Sequence, residues 1–576
     1  MKNIFKKWGL ALLLTLGACN LDGDLVNPNE VSVAGADVDL LMNAVQLNFA
    51  DFFSAASGTV DPLVRMRAMT GGFRYQTAYS PIRLDGVWAS AYQGVLINIK
   101  TLRPLAAEKG LTTHVAVCNI LEAYTWMTLV DVFGDVPALE ALQGPEGNFN
   151  PKTTPGADIY AVAIDLLGKA RTELAKTTDA GLPLSRDIYY AGSRANWTAL
   201  CNTLELKAWL NIREVPARTA EANTKIATFV DAAGASLVNL VDAEGENFTY
   251  KFSNTTVPDS RHPWYNQYYG PNPAGAGGYW GTYYMHEVFG KWDPENDSDP
   301  TAVVQDPRWR YYFYRQVGSI DPVTNGFDVK ALGCSPTAPP PHYISGNVIY
   351  CVFEPGFYGR DHGDASGTPP DGPVLTAAGV YPAGGRADNT LISNAGFQGG
   401  TLRGQGADGR GIWPIWMAAY TDYVKAEIAA NAGNNALAKT LLTTAVTNSI
   451  ASVKAFATGR TCPATSPCTL TAGREPSSAT YIAKVQSLFD DAAVKQDVIS
   501  KEFWIALMGN GMEAYNLYRR TSAPRNLQPL IQISADPYFR SMVYPATYAN
   551  LNKEAVQKNV GVTNKVFWDN NADNLN

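Results

Sequence analysis

Apolar residues recur at helical spacing in two blocks of this 576-residue chain, and the stretch between them, from about 245 to 411, breaks every such pattern. That alternation limits the fold more than any motif does. Around 114–133, Ile120, Leu121, Tyr124, Met127 and Val130 share one face, and Gly134-Asp135-Val136-Pro137 stops the run. A second helix is expected over about 157–176, and a third from Trp197 through Cys201, Leu204, Ala208 and Ile212. The period returns after Trp413. Met417, Tyr420, Val424 and Ile428 share a face, as do Leu437, Leu441 and Ala445, and another pattern spans about 478–508 before Gly509-Asn510-Gly511.

Residues 415–455 read as helix, Ala432-Gly433-Asn434-Asn435 turn, helix, which suits either a tetratricopeptide-like pair or ordinary antiparallel packing; no strict repeat period emerges. Between the blocks Gly, Pro, Asn and Asp become dense, as in 271–278 and 364–372. The stretch is too long for a linker and too rich in Trp and Tyr to be disordered. The expected fold is therefore mostly α. Helices over about 37–245 and 412–576 carry a large, ordered, loop-rich subregion over about 245–411.

The N-terminus reads as an address. Lys2, Lys6 and Lys7 precede an apolar run from Trp8 to Ala18, and Leu16-Gly17-Ala18-Cys19 forms a lipobox. Residues 1–18 are expected to be a lipoprotein signal peptide, Cys19 the acylated residue, and the turn-rich 19–36 a tether. Two or more acyl chains anchor a protein stably. No later apolar stretch is expected to approach membrane-spanning length, so the membrane is reached through lipid alone. The chain carries a net charge of −7, and the leader holds lysines but no acids. The mature body is more acidic still, which excludes a nucleic-acid footprint.

Six cysteines remain beyond Cys19. Cys462 and Cys468 bracket a Pro-rich turn and suit a disulfide; Cys334 and Cys351 form a second candidate pair. Cys118 and Cys201 fall in helical patterns and read as small buried hydrophobes. Chemistry is sparse: no nucleophile elbow, zinc helix or phosphate loop occurs, and only five histidines. His286-Glu287 lacks a later histidine and reads as a solvent-facing or loop pair. Asp293, Glu295, Asp297 and Asp299 imitate the start of a calcium loop, but Ser298 replaces its glycine and Val304 its final glutamate. Asp361, Asp364 and Asp371 suit turn capping. No metal or cofactor is expected. A catalytic carboxylate pair far apart in the chain stays open.

The aromatics say more. Trp264-Tyr265-Asn266-Gln267-Tyr268-Tyr269 and Tyr279-Trp280-Gly281-Thr282-Tyr283-Tyr284 flank a Pro/Gly loop, and Arg74-Tyr75-Gln76 with Tyr79 has the same character. A sugar offers an apolar C–H face and a hydroxyl rim, matching rings beside amides or arginine. The candidate ligand residues are Arg74, Tyr75, Tyr79, Trp264, Tyr268, Tyr269, Tyr279, Trp280 and Tyr283. The alternative is that such rings pack loops onto helices.

Ordered segments then resemble the SusD/RagB-type outer-membrane lipoproteins of Bacteroidetes. They are Leu25-Val26-Asn27-Pro28, Trp88 and Tyr92 with Ile97-Asn98, and Tyr124 with Phe133-Gly134-Asp135-Val136-Pro137 and Glu140-Ala141. Asp187, Tyr190, Trp197, Leu204 and Arg213 follow, then Asp306-Pro307-Arg308, 359–364 and 379–385. Lys501, Trp504-Ile505-Ala506-Leu507, Glu513-Ala514, Tyr518-Arg519-Arg520 and Tyr544-Pro545 complete the series. Two features depart from the pattern: Ala138-Leu139 after Pro137, and the 460–470 insertion. The resemblance implies a mostly α fold of tetratricopeptide-like helix pairs with a large loop-rich ligand-binding subregion, in a non-enzymatic protein facing the cell exterior that passes glycan, alternatively peptide, to a SusC-like TonB-dependent transporter. It also implies that Arg519 and Arg520 pair with carboxylates. The rival readings are a lipid-anchored glycoside hydrolase and a peptide-binding surface protein.

Overall fold

The computed structural model describes residues 37–176, 184, 186–270, 278–290, 304–316, 338–350, 356–366, 375–391, 399–533, 537–558 and 564–571. Cys19 with its leader and tether, Cys334, Cys351, the 293–299 acidic run and Asp371 lie outside the described residues.

The chain enters through α1 (Val38–Val60), whose N-cap Asp37 accepts from the backbone amides of Asp39 at 2.8 Å and Leu40 at 3.3 Å. Asp85–Ala89, the π-helical Ser90–Leu96 and Ile97–Glu108 run on as one rod, α2. Then come α3 (Thr112–Phe133), α4 (Gly156–Ala175), α5 (Arg194–Ile212) and the short α6 (Thr219–Ile226). Each of α2 to α5 packs on its predecessor, the arrangement of stacked helix pairs. Gly134 ends α3 with φ +74°, its amide donating to Val130 O at 2.7 Å.

Helix α3 is buried on nearly every side. It is long and apolar enough to cross a membrane, against the expectation that nothing after the leader is, yet 89% of its most apolar window lies inside the protein. A helix wrapped by neighbours on all faces has no need of a polar one.

Strand β1 (Phe248–Lys251) opens the loop-rich subregion, which also carries α7 (Pro263–Tyr269), α8 (Thr282–Phe289) and the two-residue strands β2 (Phe313–Tyr314) and β3 (Ala377–Ala378). Strand β4 (Ile412–Trp416) closes it by pairing antiparallel with β1, Phe248 opposite Trp416 and Lys251 opposite Ile412. The neck of the subregion is thus a two-stranded clasp.

The second helical block follows as α9 (Ala418–Asn431), α10 (Asn435–Thr458), α11 (Ser478–Asp491), α12 (Lys495–Ala506), α13 (Gly511–Thr521) and α14 (Ala546–Leu551). The single pattern expected over 478–508 is two helices, α11 and α12. Ala492 turns extended, and the Lys495 ammonium donates to the carbonyls of Phe489 (2.8 Å) and Asp490 (2.9 Å) at the end of α11. Helix α13 docks on α1, and one continuous apolar core joins both blocks.

Of the paired arginines, Arg520 grips Glu427 through Nε at 2.9 Å and Nη2 at 3.0 Å. Among the described residues no carboxylate accepts from Arg519. It donates to Arg540 O and Asn516 Oδ1, both at 2.7 Å, and lies 3.7 Å from the Tyr515 ring centre.

Candidate functional site

A cleft of about 430 Å³ opens where the end of α1, the following segment to Gly71, the 78–84 turn and α7 meet. Its geometry begins with Pro62, which starts a 3-10 turn over Asp61–Val64, and with Arg65, whose φ of +64° reverses the chain. Met66 N then donates to Asp61 O at 3.2 Å. The redirected strand pairs Arg67 with Trp280, and Ala68 N donates to Tyr279 O at 3.0 Å. This crossing needs Gly281, where a Cβ would overlap the Arg65 carbonyl.

Helix α7 faces Arg67. His262 caps it, Nδ1 accepting from Trp264 N at 3.1 Å; burial holds the imidazole pKa down to about 3, so the ring is a neutral acceptor. Trp264 and Gln267, three residues apart, share the face turned to the cleft. Arg67 Nη2 donates to Gln267 Oε1 at 2.9 Å, and its guanidinium lies 4.7, 5.3 and 5.7 Å from the ring centres of Trp280, Trp264 and Tyr268. Rings on several sides fix this cation electrostatically as well as by contact. Met69, Ala78 and Leu84 supply apolar lining, and the exposed Arg83 sits at the rim.

Two buried polar groups complete the lining. Asp61 lies against Gly511 at the start of α13; burial raises its pKa to about 7, with Arg67 pulling the other way. Burial likewise pushes the Tyr79 phenol well above its ordinary value. Among the described residues neither Asp61 Oδ1 nor Tyr79 Oη has a hydrogen-bond partner.

The nine ring and arginine candidates do not form an exposed platform. Tyr268, Tyr269, Tyr279 and Trp280 are fully buried, and Tyr75, Tyr79 and Tyr283 nearly so. They build the core of the loop region, which has few aliphatic residues of its own. Tyr269 Oη donates to Ala378 O and accepts from Arg386 N, both at 2.9 Å, and its ring stacks on Tyr265 at 4.4 Å. Tyr75 Oη meets His362 Nε2 at 2.9 Å, Tyr79 packs on Phe539, and Tyr283 on Trp504. Arg74 is exposed but stands outside the cleft lining. Only Trp264 and Tyr79 of the nine line the cleft, with Trp264 half-buried. Arg67, Asp61 and Arg83 fall outside the sequence motifs, whereas Gln267 stands in the 264–269 aromatic stretch as one of its interleaved amides.

Other candidates resolve differently. Cys462 and Cys468 form a disulfide, and Cys118 and Cys201 are buried thiols. His286 is buried on α8 rather than solvent-facing, and Glu287 pairs with Lys501 at 2.7 Å. Asp364 Oδ1 accepts from Ser366 N at 3.1 Å and Oγ at 2.7 Å, and Asp361 accepts from Gln528 Nε2 at 2.7 Å.

A stacked-helix scaffold presenting a loop-built, ring-lined cleft defines the class of this protein. Residues 28–280 match the SusD-like family model described as starch-binding and associating with the outer membrane. A chitin-binding SusD homolog from Flavobacterium johnsoniae superposes with a TM-score of 0.59 at 16% identity, covering 94% of this chain and 99% of that one. A SusD/RagB family protein from Bacteroides thetaiotaomicron gives 0.55 at 14% identity, covering 93% of this chain and 100% of that one. No curated protein sequence matches the chain. Residues 28–280 thus match a SusD-like family model, and the chain shares the fold of the SusD/RagB homologues.

Proposed function

We propose that this protein captures oligosaccharide at the Trp264 cleft on the cell surface and passes it, without cleaving it, to a SusC-like TonB-dependent outer-membrane transporter. Lipid on Cys19 would hold it at the membrane. The observation that carries this reading is the half-buried Trp264 beside the Arg67–Gln267 pair. The indole offers a face to the C–H side of a pyranose, and the guanidinium and amide offer fixed hydrogen-bond partners to its hydroxyls. Two of the similar structures are described as chitin-binding. An acetamido sugar would also give the Tyr79 hydroxyl a partner. Hydrolysis is disfavoured because the described lining contributes one carboxylate, Asp61, where a glycosidase needs two facing each other.

Affinity electrophoresis through gels containing glycol chitin, starch or a β-glucan tests the reading. At least one glycan should retard the protein, and Trp264→Ala should weaken that retardation by about tenfold or more, the loss typical of a central aromatic anchor. Gln267→Ala, which leaves every ring in place, should weaken it less. No retardation in any gel, or retardation indifferent to Trp264→Ala, rejects the site.

A further inference from the structure

We propose a second saccharide site on the helical scaffold itself, taking a neutral sugar of one or two rings. Its ligand class rests on the glycan reading above; its geometry does not. A cavity of about 540 Å³ opens between α2, α3 and the loop that follows α3. It shares no residue with the Trp264 cleft. The volume falls within the ordinary range for small-ligand sites.

One side of the cavity is apolar. Leu96, Leu142, Ala138 and Ala141 line it, and the two alanines leave room that larger side chains would fill. Trp126 adds an indole whose Nε1 donates to Glu122 Oε1 at 3.2 Å. The other side is charged, and its charges are compensated in pairs. Arg103 donates to Glu122 and, at 3.2 Å, to Asn119 Oδ1. Lys100 Nζ lies 3.4 Å from Glu146 Oε1 and also donates to Leu142 O.

That pairing selects the ligand. A charged ligand would compete with the partly buried Arg103–Glu122 pair and leave one of its members uncompensated, whereas the exposed Lys100–Glu146 pair contributes little either way. A polyhydroxylated neutral ligand breaks nothing. It meets carboxylate and guanidinium groups already held in place by each other, and its C–H face meets the aliphatic wall and the indole. An amphipathic lining with balanced charge is the complement of a pyranose.

Two sites on one rigid body change how a polymer is held. Once one segment is bound, the second binds intramolecularly at high effective concentration, so retention on polysaccharide exceeds either single affinity. Short oligosaccharides would gain nothing from the second site.

The test uses the full chain labelled with 5-fluorotryptophan, the Trp126 and Trp264 fluorine signals being assigned from Trp126→Phe and Trp264→Phe. Triacetylchitotriose and maltotriose are titrated separately. At least one should shift both signals. In Trp264→Ala the Trp126 signal should still move. Ala141→Trp, which fills the cavity, should abolish the Trp126 response, spare Trp264, and cut retention on the matching polymer by about tenfold or more, the scale of a lost second contact. The double variant Lys100→Ala/Gln143→Ala, confined to less buried positions, should weaken the Trp126 response about fivefold or more, the effect of removing rim hydrogen bonds. If Trp264 responds and Trp126 never does, the second site falls and the proposed function stands. If Trp126 responds and Trp264 does not, the first cleft falls and this site stands. Silence at both overturns both. A Trp126 response confined to glucuronic acid or glucosamine overturns the neutral class, and indifference to both cavity variants overturns the location.

Discussion

Asp61 is the residue whose chemistry depends most on where the fold puts it. Its folded pKa, about 7, lies above the ordinary 3.8, so the folded state holds a proton that the unfolded chain has released. Stability from this group is therefore full below about pH 4 and declines as pH rises toward 7, after which it is flat. Asp61→Asn removes the penalty on the charged form. We expect the variant to gain on the order of 2–4 kcal/mol over the parent at pH 8, from about 1.4 kcal/mol per pKa unit, with the gap closing by pH 4.5. Urea titrations of both proteins at the two pH values check this, and a constant gap would count against a buried, titrating Asp61. Nothing in the sequence marks the residue. It directly follows α1, and α13, whose Gly511 lies against it, arrives much later in the chain. The rings suffer the converse problem. Tyr268, Tyr269 and Trp280 have the composition of a sugar platform, but composition cannot tell a ring under loops from a ring on them.

Elements were far more legible than sites. Helices α3, α4 and α5 lie within a residue or two of their apolar patterns, except that α5 begins three residues before Trp197. Periodicity and stop signals are local, and local signals survive in sequence. The break between α11 and α12 was hidden because both helices keep apolar faces across it. The 460–470 insertion shows what a short element can do at a distance. Pro467 O accepts from Ala387 N at 3.1 Å, Ser466 Oγ accepts from Gly406 N at 3.1 Å, and Thr469 O accepts from Asn389 Nδ2 at 3.2 Å. The Cys462–Cys468 disulfide thus holds a latch over the backbone around Ala387, Asn389 and Gly406. Serine at both cysteines should lower stability by about 2 kcal/mol, the chain-entropy figure for so small a loop. Limited proteolysis should then cut first between 399 and 410, near the exposed Leu402, and cleavage elsewhere would argue against a latch.

At the scale of the whole molecule, the two helical blocks are fastened through buried charge as well as apolar contact. Lys207 on α5 meets Glu513 on α13 at 2.9 Å, with side chains only 4% and 2% exposed, and its ammonium lies 5.2 Å from the Tyr124 ring centre of α3. Burial alone would depress the lysine, but Glu513, Tyr124 and Asp131 lift it above its ordinary value. Glu427 of α9 joins Arg213, the C-cap of α5, at 3.0 Å to Arg520 of α13 at 2.9 Å. Asp131 of α3 accepts from Asn516 of α13 at 2.7 Å and from Trp568 at 3.0 Å. Residues separated by most of the chain therefore share one buried network, and the β1–β4 clasp leaves the loop subregion riding on it. Glu513→Gln keeps the shape of the side chain and leaves Lys207 charged in the interior, which should cost about 3–5 kcal/mol. The loss should appear as a downward shift of one cooperative transition, because one continuous apolar core spans both blocks. Lys207→Met/Glu513→Leu, which removes both charges at similar volume, should recover most of it. Calorimetry of the three proteins distinguishes the cases: two separated transitions in Glu513→Gln would mean that the blocks fold independently, with the pair serving only to align them.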